Sequence, residues 1–95
     1  MSPSYFVKQN EKKSRDKLIQ DFLLNRAIKR FPDTKVDNYG NIVYYEGGKK
    51  KRFKILDRVV RYEVQVDMSD KYQKRNEWVR IKSYSVSKIL NLIKE

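Results

Sequence analysis

The sequence predicts a single small α+β domain, with three or four antiparallel strands packed by two helices in the order α-β-β-β-α. Apolar residues recur at helical spacing near both ends of the chain, over about 11–30 and 86–93. Between residues 38 and 84 the spacing changes to two, with Gly, Asn and Asp where strands must end. Ninety-five residues form one domain by the usual size range, and two helices on one sheet face close a small core.

The first helix is expected from Glu11 or Ser14 to Arg30, since Pro32 stops it and good helix formers fill it. Its apolar residues fall into two stripes, which predicts either a helix covered on two sides or a bend near Asn25. Residues 1–10 lack periodicity and are expected to form a flexible tail, so that the domain itself spans 11–95.

The first predicted strand, Ile42 to Tyr45, follows a turn at 38–40. The pair 47–48 is Gly-Gly, which supplies the positive φ angles of a two-residue hairpin loop. In the next segment apolar residues move from odd positions to even ones near 56–58, so a bulge or a turn is expected there. A turn would give four strands in place of three.

The last strand is expected from Trp78 to Tyr84, after a loop over 68–76. Ser85 is suited to cap a final helix, whose apolar residues follow the spacing i, i+3, i+4, i+7 from Val86 to Ile93. The order resembles, in outline, that of double-stranded RNA-binding domains. That family has a Lys-rich start to an Ala-rich second helix, whereas 85–88 here reads Ser-Val-Ser-Lys and 89–93 is Ile-Leu-Asn-Leu-Ile. The resemblance implies one candidate function, the recognition of duplex RNA by its shape.

The charge balance excludes several classes of protein. Lys and Arg number 23 against 12 Asp and Glu, giving +11. Without Cys or His, the chain cannot form disulfides, Cys- or His-ligated metal centres or imidazole catalysis, so we expect no cofactor, no metal and no enzyme activity. Its longest apolar runs are too short for a membrane span, and it starts without the apolar stretch of a signal peptide. We therefore expect an intracellular protein, in the cytoplasm, nucleoid or nucleus.

The excess charge is concentrated between residues 49 and 61, where Asp57 is the single anion. Clustered cations are typical of phosphate binding, although a solvated hairpin tip, protected by charge from edge pairing, would look similar. The loop near Tyr72 repeats the pattern, again with solvation as the alternative. The candidate cations of the two segments are Lys49, Lys50, Lys51, Arg52, Lys54, Arg58, Arg61, Lys71, Lys74 and Arg75.

A third candidate is the exposed face of the last hairpin. Pairing of its strands would place the odd positions Val59, Arg61, Glu63 and Gln65 beside Trp78, Arg80, Lys82 and Tyr84. Basic and aromatic side chains on a sheet are typical of nucleic-acid surfaces. The alternative is structural, with Glu63 paired to Lys82 across the strands. Of Tyr44 and Tyr45, the one facing the helices is expected in the core, and the other is a candidate for base stacking.

These features predict a basic nucleic-acid-binding protein, for DNA or RNA, that recognises phosphate and shape without catalysis. One alternative is an adaptor or inhibitor that docks its cationic surface on an acidic protein. Another is a divalent-metal nuclease with Asp57 and Glu63 as ligands and Lys82 or Lys54 as the electrostatic partner. A monomer is expected, although an edge strand at Ile42 to Tyr45 would allow a homodimer.

Overall fold

The computed structural model describes the backbone of residues 3–94 and the side chains of residues 13–94. Five strands form one antiparallel sheet in sequence order, so the expected α+β fold with a helix-packed antiparallel sheet is confirmed. The elements are α1 (Pro3–Arg30), β1 (Lys35–Val36), β2 (Ile42–Glu46), β3 (Lys49–Ile55), β4 (Val59–Asp67), β5 (Asn76–Ser85) and α2 (Val86–Lys94). Neither described helix combines the length and apolar character that a membrane span requires.

Helix α1 ends where predicted but begins earlier. Residues 1 and 2 of the expected tail lie outside the described residues, and from Pro3 onward the backbone is helical. Proline is favoured at the first helical position, and neither Gly nor Pro follows it before residue 32. Ile19 and Ala27 are buried on one side while Leu18 and Ile28 are exposed. The expectation that the helix is covered on two sides is therefore wrong.

The turns follow the residues that predict them. Gly47 and Gly48 have φ angles of 60° and 77° and connect Glu46 to its partner Lys49. Between β3 and β4 the chain turns, as Leu56 donates its backbone N–H to the carbonyl oxygen of Val59 at 2.9 Å. The slip in the apolar pattern is thus a true turn, and β3 and β4 are separate strands.

The strand β1 was not predicted from the sequence, and it corrects the expected strand count. Lys35 and Val36 pair with Val43 and Ile42, so the expected edge strand Ile42 to Tyr45 is covered along its first half. The two residues of β1 are too short for an alternating pattern, which explains why the sequence did not indicate it. The sheet edges belong to β1 and β5.

The hydrophobic core lies between the helices and one face of the sheet. Ile19 of α1, Val60 of β4, and Val86 and Ile89 of α2 form its buried centre. Because side chains alternate along a strand, the residues that share the side of Val60 face the helices. Within the described residues both helices lie on that side, and the opposite side of the sheet is uncovered. Phe22, Leu23, Phe53, Ile55, Leu90 and Ile93 are partly buried around the core.

Candidate nucleic-acid interface

The uncovered side of the sheet, here called the outer face, is basic. Its side chains are placed by alternation and by strand register. Cations stand on four strands, whereas the carboxylates on this side are Glu63 and, at the end of β4, Asp67. The outer-face residues are Lys35 of β1, Val43 and Tyr45 of β2, Lys50, Arg52 and Lys54 of β3, Val59, Arg61, Glu63, Gln65 and Asp67 of β4, and Asn76, Trp78, Arg80, Ser83 and Ser85 of β5.

The register brings cations from separate strands side by side. Lys54 lies directly opposite Arg61, a like-charge pair that is unfavourable in isolation. Lys50 lies opposite Tyr45 across the β2–β3 pair. Within residues 13–94, no carboxylate forms an ion pair with any of five outer-face cations. These cations are Lys35, Lys50, Lys54, Arg61 and Arg80.

Arg52 is the outer-face cation that has a partner. Its Nε donates to Oε1 of Glu63 at 2.7 Å, and its guanidinium lies 4.0 Å from the centre of the Trp78 ring. Glu63 is 5% exposed although no helix covers it, because these longer side chains lie over it. Arg52, Glu63 and Trp78 form a charge-neutral cluster within the basic face. Trp78, a predicted stacking residue, therefore has one ring face occupied by Arg52.

A β-bulge changes the predicted register of the last hairpin. Tyr62 pairs with Lys82, but the next residue, Glu63, pairs with Arg80, so Ile81 is the extra residue. Since an inserted residue reverses the alternation, Lys82 and Tyr84 lie on the helix side and not on the outer face. The prediction that they share a face with Trp78 and Arg80 is wrong. The alternative pairing of Glu63 with Lys82 is also wrong.

Other predicted cations lie apart from the outer face. By alternation Lys49 and Lys51 point to the helix side, and Lys51 donates to Glu46 at 2.6 Å. That hydrogen bond raises the pKa of Lys51 and lowers the pKa of Glu46. Arg58 lies in the β3–β4 turn and offers its carbonyl oxygen to the backbone N–H of Val86 at 3.0 Å. The segment 49–61 is therefore divided between two sides of the sheet.

The β4–β5 loop is a defined turn. Asp70 accepts backbone N–H groups of Tyr72 and Gln73 at 2.8 Å each. At the base of the loop, Arg75 forms an ion pair with Glu77 at 3.3 Å. Lys71 and Lys74 are exposed on it. The predicted cations of this loop form a second basic feature. Asp67 and Asn76, at the base of the loop, line one depression with Lys49 and Lys50 of β3.

The two adjacent tyrosines lie on opposite sides of the sheet, one in the core and one exposed, as predicted. Tyr44 is buried, stacks on Phe31 with ring centres 4.6 Å apart, and its hydroxyl hydrogen-bonds that of Tyr62 at 2.7 Å. Burial and this hydrogen bond raise the pKa of Tyr44, so the hydroxyl stays neutral. Tyr45 lies on the outer face and is 59% exposed. Because alternation places Tyr44 in the core, Tyr45 is the one of the two tyrosines that remains a candidate for base stacking.

Sequence patterns did not identify two residues of this surface as candidate site residues. Lys35 belongs to the short strand β1, and Tyr39 lies in the turn that joins it to β2. Asp37 organises that turn by accepting the backbone N–H groups of Tyr39 and Asn41 at 2.9 Å each. The turn itself was predicted at 38–40, and its Gly40 has a φ of 83°. Sequence patterns did not show that the turn and β1 adjoin the outer face.

The geometry separates the carboxylates of the nuclease alternative. Asp57 lies 3.7 Å from Arg15 of α1, on the helix side, whereas Glu63 lies on the outer face with Arg52. Among residues 13–94, no three acidic side chains are grouped closely enough to hold a metal ion. Catalysis by this pair stays a prediction, to be tested by divalent-metal-dependent cleavage and its loss in Glu63→Gln.

No protein-family model, curated protein or solved structure matches this chain. The order α-β-β-β-β-β-α also differs from the α-β-β-β-α outline of double-stranded RNA-binding domains. Its function therefore has to be inferred from the outer face itself.

Proposed function

We propose that this protein binds nucleic acid through the outer face of its sheet, without catalysis. The observation that carries the proposal is the opposition of Lys54 and Arg61, with no carboxylate paired to either among the described side chains. Like charges directly opposite each other destabilise a sheet. A bound phosphate would relieve that repulsion.

The arrangement of the other cations supports the same ligand class. Lys35, Lys50 and Arg80 extend the positive charge across the sheet from β1 to β5. A polyanion with regularly spaced phosphates can contact several of them at once, and each contact releases a condensed counterion. With five unpaired cations in contact, the slope of log K against log salt should be about −4.

The test is fluorescence anisotropy of labelled DNA and RNA oligonucleotides against the protein at several salt concentrations. A triple variant, Lys50→Ala/Lys54→Ala/Arg61→Ala, should weaken binding and reduce the salt slope by about two units. The matched control, Lys13→Ala/Lys17→Ala/Lys29→Ala, removes the same charge from exposed positions of α1. It should leave the slope close to that of the unmodified protein.

Two results would contradict the proposal. Equal losses in both triple variants would show attraction by net charge alone. Weak binding with no salt dependence would exclude a nucleic-acid ligand for the outer face, and would direct the search to an acidic protein partner of defined stoichiometry.

A further inference from the structure

A depression on the outer face has aromatic residues along its wall. Its volume is about 680 Å³, and it extends from the β1–β2 turn across the sheet to Trp78. Tyr39, Tyr45 and Trp78 line it together with Lys35 and Lys50. Asp33 and Asp37, on either side of β1, also line it, so aromatic rings, ammonium groups and two carboxylates share this surface.

Two of these rings are exposed and extend from ordered backbone. Tyr39 is 90% exposed, and its backbone N–H donates to the carboxylate of Asp37, so the ring extends from an ordered turn. Tyr45 lies near the hairpin end of β2, opposite Lys50. Among the described residues, no ring or cation packs against either side chain. Trp78 differs because Arg52 covers one of its ring faces.

We infer that the ligand of the outer face is single-stranded nucleic acid, with bases stacked on Tyr39 and Tyr45 and phosphates held by Lys35 and Lys50. This inference rests on the proposed function. The bases of a single strand expose their faces, and stacking on an aromatic ring is tolerant of sequence. A duplex keeps its base faces inside the stack, so it gains from the cations but not from the two rings.

The test compares a labelled single strand of about twelve nucleotides with the same sequence annealed to its complement, in both DNA and RNA. The single strand should bind more tightly than the duplex. Tyr45→Ala and Tyr39→Ala should each weaken single-strand binding about tenfold, with little effect on the duplex. Since neither change removes a phosphate contact, the salt slope should stay the same.

Two further variants serve as controls. Tyr72 is 89% exposed in the β4–β5 loop, away from the depression, so Tyr72→Ala should leave binding unchanged. Tyr45→Phe keeps the ring and should retain binding, which separates stacking from hydrogen bonding by the hydroxyl. Circular dichroism of each variant checks that the sheet is intact.

The outcomes distinguish this inference from the proposed function. If the duplex binds as tightly as the single strand and both alanine variants behave like the unmodified protein, the stacking inference is overturned while salt-dependent nucleic-acid binding stands. If neither nucleic acid binds, both are overturned. An equal loss in Tyr72→Ala and Tyr45→Ala would also overturn the inference, since it would mean that any exposed ring has the same effect.

Discussion

Glu63 shows how a buried acidic residue is accommodated on a basic face. Its carboxylate is buried beside Arg52, whose guanidinium lies on Trp78. Charged groups that leave water need a partner, because an unpaired buried charge costs several kcal/mol. The pair therefore neutralises Arg52 and holds it against the tryptophan.

Replacing Glu63 with Gln tests this role. We expect Glu63→Gln to lower the free energy of unfolding by about 2 kcal/mol, since it weakens a hydrogen bond between charged groups. Urea titration followed by circular dichroism measures the change. The control is Glu77→Gln, because Glu77 pairs with Arg75 in an exposed position and such pairs contribute about 0–1 kcal/mol. Equal losses in the two variants would contradict the role of the buried pair.

Asp37 gives a prediction of pH dependence. Burial alone would raise its pKa, but hydrogen bonds from Asn41 and Tyr39 and the charge of Arg52 outweigh burial and hold the pKa below its ordinary value. A carboxyl group with a lowered pKa in the folded protein stabilises the fold above its unfolded pKa of about 3.9. That contribution is lost as the pH falls through the folded value.

The corresponding variant is Asp37→Asn. At pH 7 it should unfold about 1 kcal/mol more easily than the unmodified protein, and the difference should shrink as the pH falls below about 4. Urea titrations at several pH values measure it, and Asp33→Asn, at an exposed position nearby, serves as the control. A difference independent of pH would contradict the assignment to the carboxylate charge.

At the scale of elements, the β2–β3 hairpin depends on its glycines. Both have positive φ angles, which side chains with a Cβ rarely adopt, and open space surrounds both. Any cost of substitution is therefore conformational and not steric. We expect Gly48→Ala to lower the free energy of unfolding by about 1–2 kcal/mol. Gly47→Asn should have a smaller effect, since Asn tolerates this conformation in hairpin turns. Urea titration compares them, and an equal effect would contradict the conformational explanation.

The bulge between β4 and β5 is the element that decides which side chains reach the outer face. Without it, Lys82 and Tyr84 would continue the face of Arg80. With it, Tyr84 lies beside Phe22 and Ile89 in an apolar cavity of about 330 Å³ between the helices and the sheet. The extra residue Ile81 thus removes Lys82 from the basic outer face and places Tyr84 among apolar side chains on the helix side.

At the scale of the whole molecule, the net charge of +11 opposes folding through self-repulsion. Salt screens this repulsion. Raising NaCl from about 50 mM to 500 mM shortens the Debye length to below about 10 Å. The added salt should therefore raise Tm. A rise of about 4–8 °C corresponds to about 1 kcal/mol in a domain of this size. Thermal unfolding followed by circular dichroism measures it.

A charge variant controls for effects of salt on apolar burial. Lys13→Glu/Lys29→Glu changes exposed positions of α1 and lowers the net charge from +11 to +7. Its Tm should depend less on NaCl than that of the unmodified protein. An equal dependence would mean that salt acts on something other than charge repulsion.

Sequence patterns predicted the parts of this fold that local chemistry decides. Pro32 ends α1 after Arg30, the Gly-Gly pair forms a hairpin, and the spacing from Val86 to Ile93 forms α2. The alternation in β2 also placed one tyrosine in the core and its neighbour outside. Each of these features depends on a few adjacent residues. Their backbone preferences and side-chain spacing are therefore sufficient to predict it.

By itself, then, the sequence determined an α+β domain with a strong excess of positive charge. Only the tertiary structure decided which charges share a surface. The bulge moved Lys82 away from Arg80, and the short strand β1 brought Lys35 and Tyr39 to the outer face. The physical reason is that side chains alternate with a period of two, so one inserted residue reverses a whole face. Such an insertion is set by contacts between strands that are distant in the chain.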